Sequence, residues 1–521
     1  MKNARLLAHK LCNEYSAKVN GTKLPKLNPL LIRDSKDESC TLSYHAGILK
    51  IEAGCPIGAV YALSQAKAGS QSKHLAEILG TKTPRFYLRP LWILGEVNPF
   101  NDLSKQHEAC RRLLELGYNA VILDRSIQSN TVSLLHDYGI KIIFKPMKIT
   151  ESFLSVKYQH DLKNLLEDYL SNGIDYIFWE SGLYSQELEE DPLTRELTQE
   201  DLAHYEMKLL EETIAQNAGL IYYISTPDLY NADKQAKWMP RLCHDAGKKT
   251  IIAFSAFAGN PDEDHLPMHP FWETLRLSPD TLETPLLPIL NGGNVNQGEG
   301  LWPILSLDLL NRFFTQMDRH RFAGAAIMTR TLPGRSGFLE CNLWVAGRMM
   351  WESRSSYLYA ETWCEAFRPD LNIKKFGAIF EIARRISVDL SILRAVLQGK
   401  YVEPAEECRA RAESSLGQLN YLVAIFSKVK GEEQAGVPFL ADYVRYFERD
   451  ARRIIMHALQ SMNISLPNLM SGIDAHESFW TKLLESPGSG IRGAAKVALL
   501  ELPNQGLQDV KMPMIYREIM L

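Results

Sequence analysis

An α/β fold centred on a (β/α)8 TIM barrel is predicted for residues 86–368, preceded by a small α/β domain (1–85) and followed by an all-helical domain (369–521). Three observations carry this prediction. Between Leu91 and Phe367, short β-branched or aromatic runs alternate about eight times with amphipathic stretches, as a barrel of that order requires. Ahead of them stand a helix, a strand, a hairpin and a second helix. Beyond Pro369 the apolar residues recur only at helical spacing, with no competing strand signal.

In the front segment the helix runs from Ala4 to Val19, the strand from Pro29 to Ile32, and the hairpin turns at His45-Ala46-Gly47. A helix from Pro56 to Ala68 closes it. The first barrel strand is Leu91 to Glu96, and its helix, Leu103 to Leu116, stops at Gly117. Strands two and three are Ala120 to Asp124 and Ile140 to Lys145, with a short helix ending at Gly139 between them. The fourth unit is the clearest: a helix from Asp161 ends at Asn172-Gly173, and the strand Ile174 to Trp179 runs directly into Glu180. Strand five, Leu220 to Ser225, follows a helix from Leu202 to Gln216, and strand six is Lys249 to Phe254. A Pro-rich connection from Gly259 to Pro285 then leads to strand seven, Leu286 to Leu290, where Pro288 argues for distortion. The last strand is Phe322 to Met328. Helical spacing marks Phe376–Leu397, Glu406–Lys428, Val437–Met462 and Phe479–Leu484 in the tail.

Composition excludes more than it identifies. A net charge of −4 and an apolar fraction of 45% describe a globular chain, and no basic run suggests nucleic acid. The start of the chain has no apolar core of signal-peptide length, and no apolar stretch is long enough for a bilayer, so a cytoplasmic location without membrane attachment is expected. Eight cysteines occur without a C-x-x-C pair, which points to free thiols. No phosphate loop or metal spacing is present, and no cofactor is implied. Pro267 between His265 and His269 removes the helical face a metal pair at that spacing needs. The helical tail is a candidate homodimer face.

Barrel strands are packed on both sides, so chemistry belongs to the residues at their carboxyl ends. Sugar hydrolysis needs two carboxyl groups flanking a ring, with aromatic surfaces for the ring faces. Glu180 is the leading candidate acid, because it ends a strongly apolar strand and an indole from Trp179 would raise its pKa. Its partner would come from Asp262 or Asp264 in the acidic turn past strand six, or from Glu299 in the Gly-rich loop Asn291 to Gly300. Glu180 also reads as a strand-end carboxylate in a salt bridge, the acidic turn as solvated, and the Gly-rich loop as a flexible connection. Glu96, Asn98, Asp124, Arg125, Lys145, Asp228 and Arg330 are strand-end groups suited to positioning a carbohydrate substrate, as are Asn291 and Asn294. Trp272, Trp302 and Trp344 are candidate sugar platforms, although a single Trp more often fills a core.

The stretch Glu340-Cys-Asn-Leu-Trp-Val-Ala-Gly-Arg-Met-Met-Trp-Glu352, with Trp363 and Phe367 beyond it, resembles the segment after the last barrel strand in the α-glucuronidases that act on xylan fragments. Asn342, Gly347, Arg348, Trp351 and Trp363 match. Gly58-Ala-Val-Tyr61 is similar to the close of the front domain in that family and in hexosaminidases. The resemblance implies the same three-part architecture and glycoside hydrolysis. It makes Glu180 the general acid and Asp262, in Gly259-Asn-Pro-Asp262, the base. Asn291 stands where the family has a second Glu, with Glu299 as a displaced substitute. The family's uronate-binding Lys and Arg fall near Phe257 and Ser225, so the resemblance does not extend to a uronic acid. A glycoside hydrolase acting on a small glycoside or oligosaccharide is therefore expected. The alternatives are a lapsed barrel that binds a glycan or protein, and a barrel lyase or isomerase using Lys145 or a metal ion.

Overall fold

The computed structural model describes residues 1–19, 25–33, 35–71, 75–94, 99–124, 128–147, 149, 152–214, 218–227, 229–259, 268–278, 282–292, 307–318, 320–329, 332, 338–367 and 403–428, with single positions between 382 and 396 and at 455. Contacts divide the chain into two compact units. The first is Met1–Gly292, Asp308–Leu332 and Leu343–Ala366; the second is Gly293–Leu307, Pro333–Asn342 and Phe367–Leu521.

The first unit holds two sheets. Strands β1 (Lys26–Ile32), β2 (Cys40–His45), β3 (Ile48–Ala53) and β4 (Gly80–Lys82) form a four-stranded sheet in the order β1-β3-β2-β4. The predicted hairpin joins β2 to β3, with positive φ at Ala46 (50°) and Gly47 (80°), the pairing that a two-residue turn needs to match strand twist. Helices Lys2–Val19 and Pro56–Gln71 pack with this sheet and with each other.

Eight parallel strands close the barrel: β5 (Pro90–Ile93), β6 (Ala120–Leu123), β7 (Lys141–Phe144), β8 (Tyr176–Glu180), β9 (Gly219–Ile224), β10 (Thr250–Ser255), β11 (Leu286–Asn291) and β12 (Ala326–Thr329). All eight are those read from the sequence, displaced by a few residues at their ends. They were legible because a strand buried on both faces is an uninterrupted apolar run. Pro288 does not break β11, which pairs with β10 from Leu286 to Ile289. The distortion falls on its other neighbour. Leu286 bridges Phe322 while Ile289 pairs with Ala326, so the β12 side carries one extra residue opposite Pro288, where no N–H is available to the ladder.

The motif that carries the resemblance has a packing role here. Helix Phe338–Met349 lies so close to the end of helix Gln106–Leu116 that a Cβ on Gly347 would collide with the Leu116 carbonyl oxygen. Arg348 is fully buried, donates to Ser64 Oγ (2.8 Å) and Glu115 O (2.9 Å), and lies over the rings of Tyr61 (4.4 Å) and Trp344 (3.8 Å). Trp351 stacks on Tyr61 at 3.7 Å and donates to Gly117 O at 3.0 Å. Its ring also carries the buried guanidinium of Arg89 at 4.7 Å, and Arg89 in turn pairs with Glu38. These contacts join the front sheet's helix to the barrel's outer layer. Their chemistry is aromatic packing and cation–π attraction.

In the second unit, helix Ala405–Lys428 carries Arg411, which pairs with Glu403 and, at 2.8 Å, with Asp389. The tail helices expected at 437–462 and 479–484 lie outside the described residues, apart from Ile455.

Candidate active site

Residues paired across a parallel ladder point to the same face, and residues two apart on a strand share a face. Glu180 pairs with Tyr223, Tyr223 with Ala253, and Ala253 with Leu287. Asn291, on the face of Leu287, pairs with Met328, which pairs with Trp92. Trp92 pairs with Ile122, Ile122 with Ile143, and Ile143 with Tyr176, on the face of Glu180. The circuit closes in phase. The ring of Phe178 lies 5.1 Å from Trp92 and 5.5 Å from Tyr223, which identifies this face as the barrel interior.

Extending each strand by its period places Asp124, Lys145 and Glu180 inward at the carboxyl ends of three consecutive strands, β6, β7 and β8. Lys145 Nζ sits 2.6 Å from Glu180 Oε2 and 4.9 Å from the centre of the Trp92 ring. One carboxylate oxygen of Asp124 is buried without a hydrogen-bond partner among the described residues. With Pro146, Met147, Phe178 and Trp179 these three residues line a cavity of about 260 Å3. That is below the roughly 300–1,000 Å3 of sites for drug-sized ligands, and it suits one sugar-sized group. Two carboxylates, one of them paired with an ammonium, can bind hydroxyls and move a proton, and Phe178 and Met147 add apolar surface to the cavity wall.

The structure corrects one expectation about Glu180. Trp179 borders the cavity, but its indole does not abut the Glu180 carboxyl. Successive strand residues face opposite ways, so the indole turns outward, where Nε1 donates to Glu206 Oε1 at 3.1 Å and the ring meets Tyr158. Lys145 is the partner of Glu180 instead. Asn291 faces the interior at the end of β11 and is 4% exposed. Asn342 is buried on helix Phe338–Met349. Trp272 and Trp344 are core residues and not platforms: the Trp272 ring stacks near Phe322 and its Nε1 donates to Ala256 O, and Trp344 lies beneath Arg348. Glu96, Asn98, Arg125, Asp228, Asp262, Asp264, His265, Asn294, Glu299, Trp302 and Arg330 lie outside the described residues.

Sequence reasoning missed Glu206. Its carboxylate, 1% exposed on helix Gln199–Ile214, accepts from Trp179 Nε1, from Gly182 N at 3.1 Å and from Tyr222 Oη at 2.7 Å. Burial, reinforced by this carboxylate, pushes the Tyr222 phenol well above its ordinary pKa, so it remains a donor. The three bonds tie the Trp179 side chain, the Gly182 backbone and the Tyr222 phenol of the next strand to one carboxylate beside Glu180. An acid within the apolar stripe of Ala203, Met207, Leu210 and Ile214 was the available signal. Glu206→Gln removes acceptor capacity from a buried site with three donors, and a loss of about 2–4 kcal/mol of stability is expected in urea unfolding. A loss under about 0.5 kcal/mol would remove this clamp from the description.

His269 supports the outer side of β9 and β10. Its Nδ1 accepts from Phe271 N at 3.1 Å, and its Nε2 contacts Gln235 Oε1 at 3.2 Å. Burial depresses its pKa from 6.5 to about 3. The folded protein therefore keeps this imidazole neutral, whereas the unfolded chain takes up a proton below 6.5. The stability associated with His269 is fully present above pH 6.5 and declines as pH falls toward 3, by roughly 1.4 kcal/mol per unit. The pH dependence of wild type should be steeper over that window than that of His269→Gln, as read by thermal melts at several pH values. Parallel curves would rule this contribution out.

No protein-family model matches the chain, and no curated protein matches it. Among solved structures, the chain is similar to a GH138 enzyme targeting pectin rhamnogalacturonan II, with a TM-score of 0.48 and 12% identity, over 96% of this chain and 73% of that one.

Proposed function

We propose that the chain is a glycoside hydrolase whose site is the barrel mouth around Asp124, Lys145 and Glu180. The observation that carries this reading is the convergence of those three side chains, from consecutive strand ends, above Trp92 and Phe178. Barrel enzymes place their reacting groups at this end of the strands, and two carboxylates facing one cavity are the groups that glycosidic bond cleavage uses. In this reading substrate hydroxyls draw Lys145 away from Glu180, whose carboxylate then takes up a proton from solvent and delivers it to the leaving oxygen. Asp124, facing the same cavity, joins Asp262, Asp264 and Glu299 as a candidate for the second carboxylate, which activates water or attacks the anomeric carbon. Lys145 then holds a substrate hydroxyl or carboxylate. The α-glucuronidase-like motif adds support for the architecture, while its packing role in this chain leaves the sugar open.

A specific observation favours a second reading, a lapsed barrel that binds a glycan. Glu180 is held by Lys145, and the indole expected to desolvate it faces the helix layer. A panel of nitrophenyl glycosides, comprising α- and β-hexosides, N-acetylhexosaminides and an α-glucuronide, separates the two. Turnover of at least one supports the hydrolase. Silence on all of them, with glycan binding retained, supports the lapsed barrel.

A further inference from the structure

The barrel has a second cavity at the opposite, amino-terminal end of its strands. It is an open cleft of about 550 Å3 and includes Tyr87, Lys141, Asp175, Tyr176, Lys248 and Lys249 in its lining. Catalytic groups do not sit at that end of a barrel, and packing alone does not call for an aromatic pocket with three lysines.

Lys141, the first residue of β7, is the decisive side chain. It is half-buried, and burial lowers its pKa. Its ammonium has three donors, of which one reaches the Tyr87 carbonyl at 3.3 Å, and the Tyr87 ring lies 5.6 Å away. No carboxylate among the described residues forms an ion pair with it. The acid nearest in the lining, Asp175, is occupied: its Oδ2 contacts His136 Nε2 at 3.0 Å and accepts from Ile142 N at 2.8 Å. Glu38, the other acid facing Lys141, is taken by Arg89 and by Asn119 Nδ2 at 3.0 Å. Tyr176 is held in place as a wall, because its ring lies where a side chain on Gly219 would otherwise stand. Exposed Lys248 adds positive charge at the rim.

We propose that this basal cavity binds a small oxyanion carried on a ring, a phosphorylated or carboxylated sugar, with Lys141 on the anion and Tyr87 and Tyr176 beside the ring. A half-buried ammonium gains most from a charged acceptor, and tyrosine faces accept sugar rings. The proposal is independent of hydrolysis at the mouth.

The test is titration calorimetry of the full chain with glucose 6-phosphate, glucuronate, glucose and inorganic phosphate. Wild type, Lys141→Met and Lys248→Met are compared. Lys141→Met keeps the aliphatic stem and removes a buried charge, so folding is expected to survive. One of the two charged sugars should bind wild type at least about tenfold more tightly than glucose, and lose about tenfold or more in Lys141→Met. Lys248→Met, at an exposed position, should lose about threefold. The phosphate and carboxylate arms distinguish the two anions. Binding of neither charged sugar, equal binding of glucose, or binding unchanged in Lys141→Met would overturn the proposal.

Discussion

Gly347→Ala is expected to destabilise the protein by about 3 kcal/mol or more, with a matching fall in the urea midpoint. The added methyl meets the Leu116 carbonyl oxygen, a backbone atom at the end of helix Gln106–Leu116 that cannot rotate aside. Separating the two helices moves Arg348 away from Glu115 O and Ser64 Oγ, and Trp351 away from Tyr61 and Gly117 O. Those groups are buried, so each lost partner costs its desolvation as well as the bond. Gly417, where nothing lies within 4 Å of an added Cβ, provides the contrast. Gly417→Ala, in the interior of helix Ala405–Lys428, should be neutral or stabilising by up to about 1 kcal/mol. Equal midpoints for Gly347→Ala and wild type would mean that the close helix crossing does not hold the front segment to the barrel.

Much of the fold was legible, for reasons visible in particular residues. The helix stops at Gly117, Gly139 and Gly173 were read correctly because each has positive φ (100°, 73° and 80°), a conformation that glycine adopts without strain. The eight strands declared themselves as apolar runs. The site was less legible. Glu180 and Lys145 stood out as strand-end charges, but their pairing depends on the register between β7 and β8, which barrel closure sets and local sequence does not. Trp179 was misread because neighbours in sequence are not neighbours in space along a strand. Glu206 lay 26 residues from Glu180, and its place in the apolar stripe of its helix marked it as buried without showing what it would meet. The Asn342 to Trp363 motif was visible, but a sequence motif does not distinguish a packing joint from a binding surface.

Glu180→Gln is expected to reduce turnover by about 10²-fold or more on whichever glycoside the protein hydrolyses, with KM changed far less. Gln keeps the size and hydrogen-bonding capacity of the side chain and removes its proton chemistry. The fold should tolerate it, since the Lys145 pair is partly exposed, with side-chain exposures of 23% and 36%, and such pairs contribute about 1 kcal/mol or less. A fall in activity with an unchanged melting temperature therefore reports chemistry and not damage.

The most direct measurement is kcat/KM for wild type and Glu180→Gln, side by side, on the glycoside that responds in the screen, with melting temperatures recorded for both. A loss of about 10²-fold or more at equal melting temperature is the result expected if the mouth around Asp124, Lys145 and Glu180 is the active site. Equal kcat/KM values in the two proteins would contradict it and move the chemistry elsewhere.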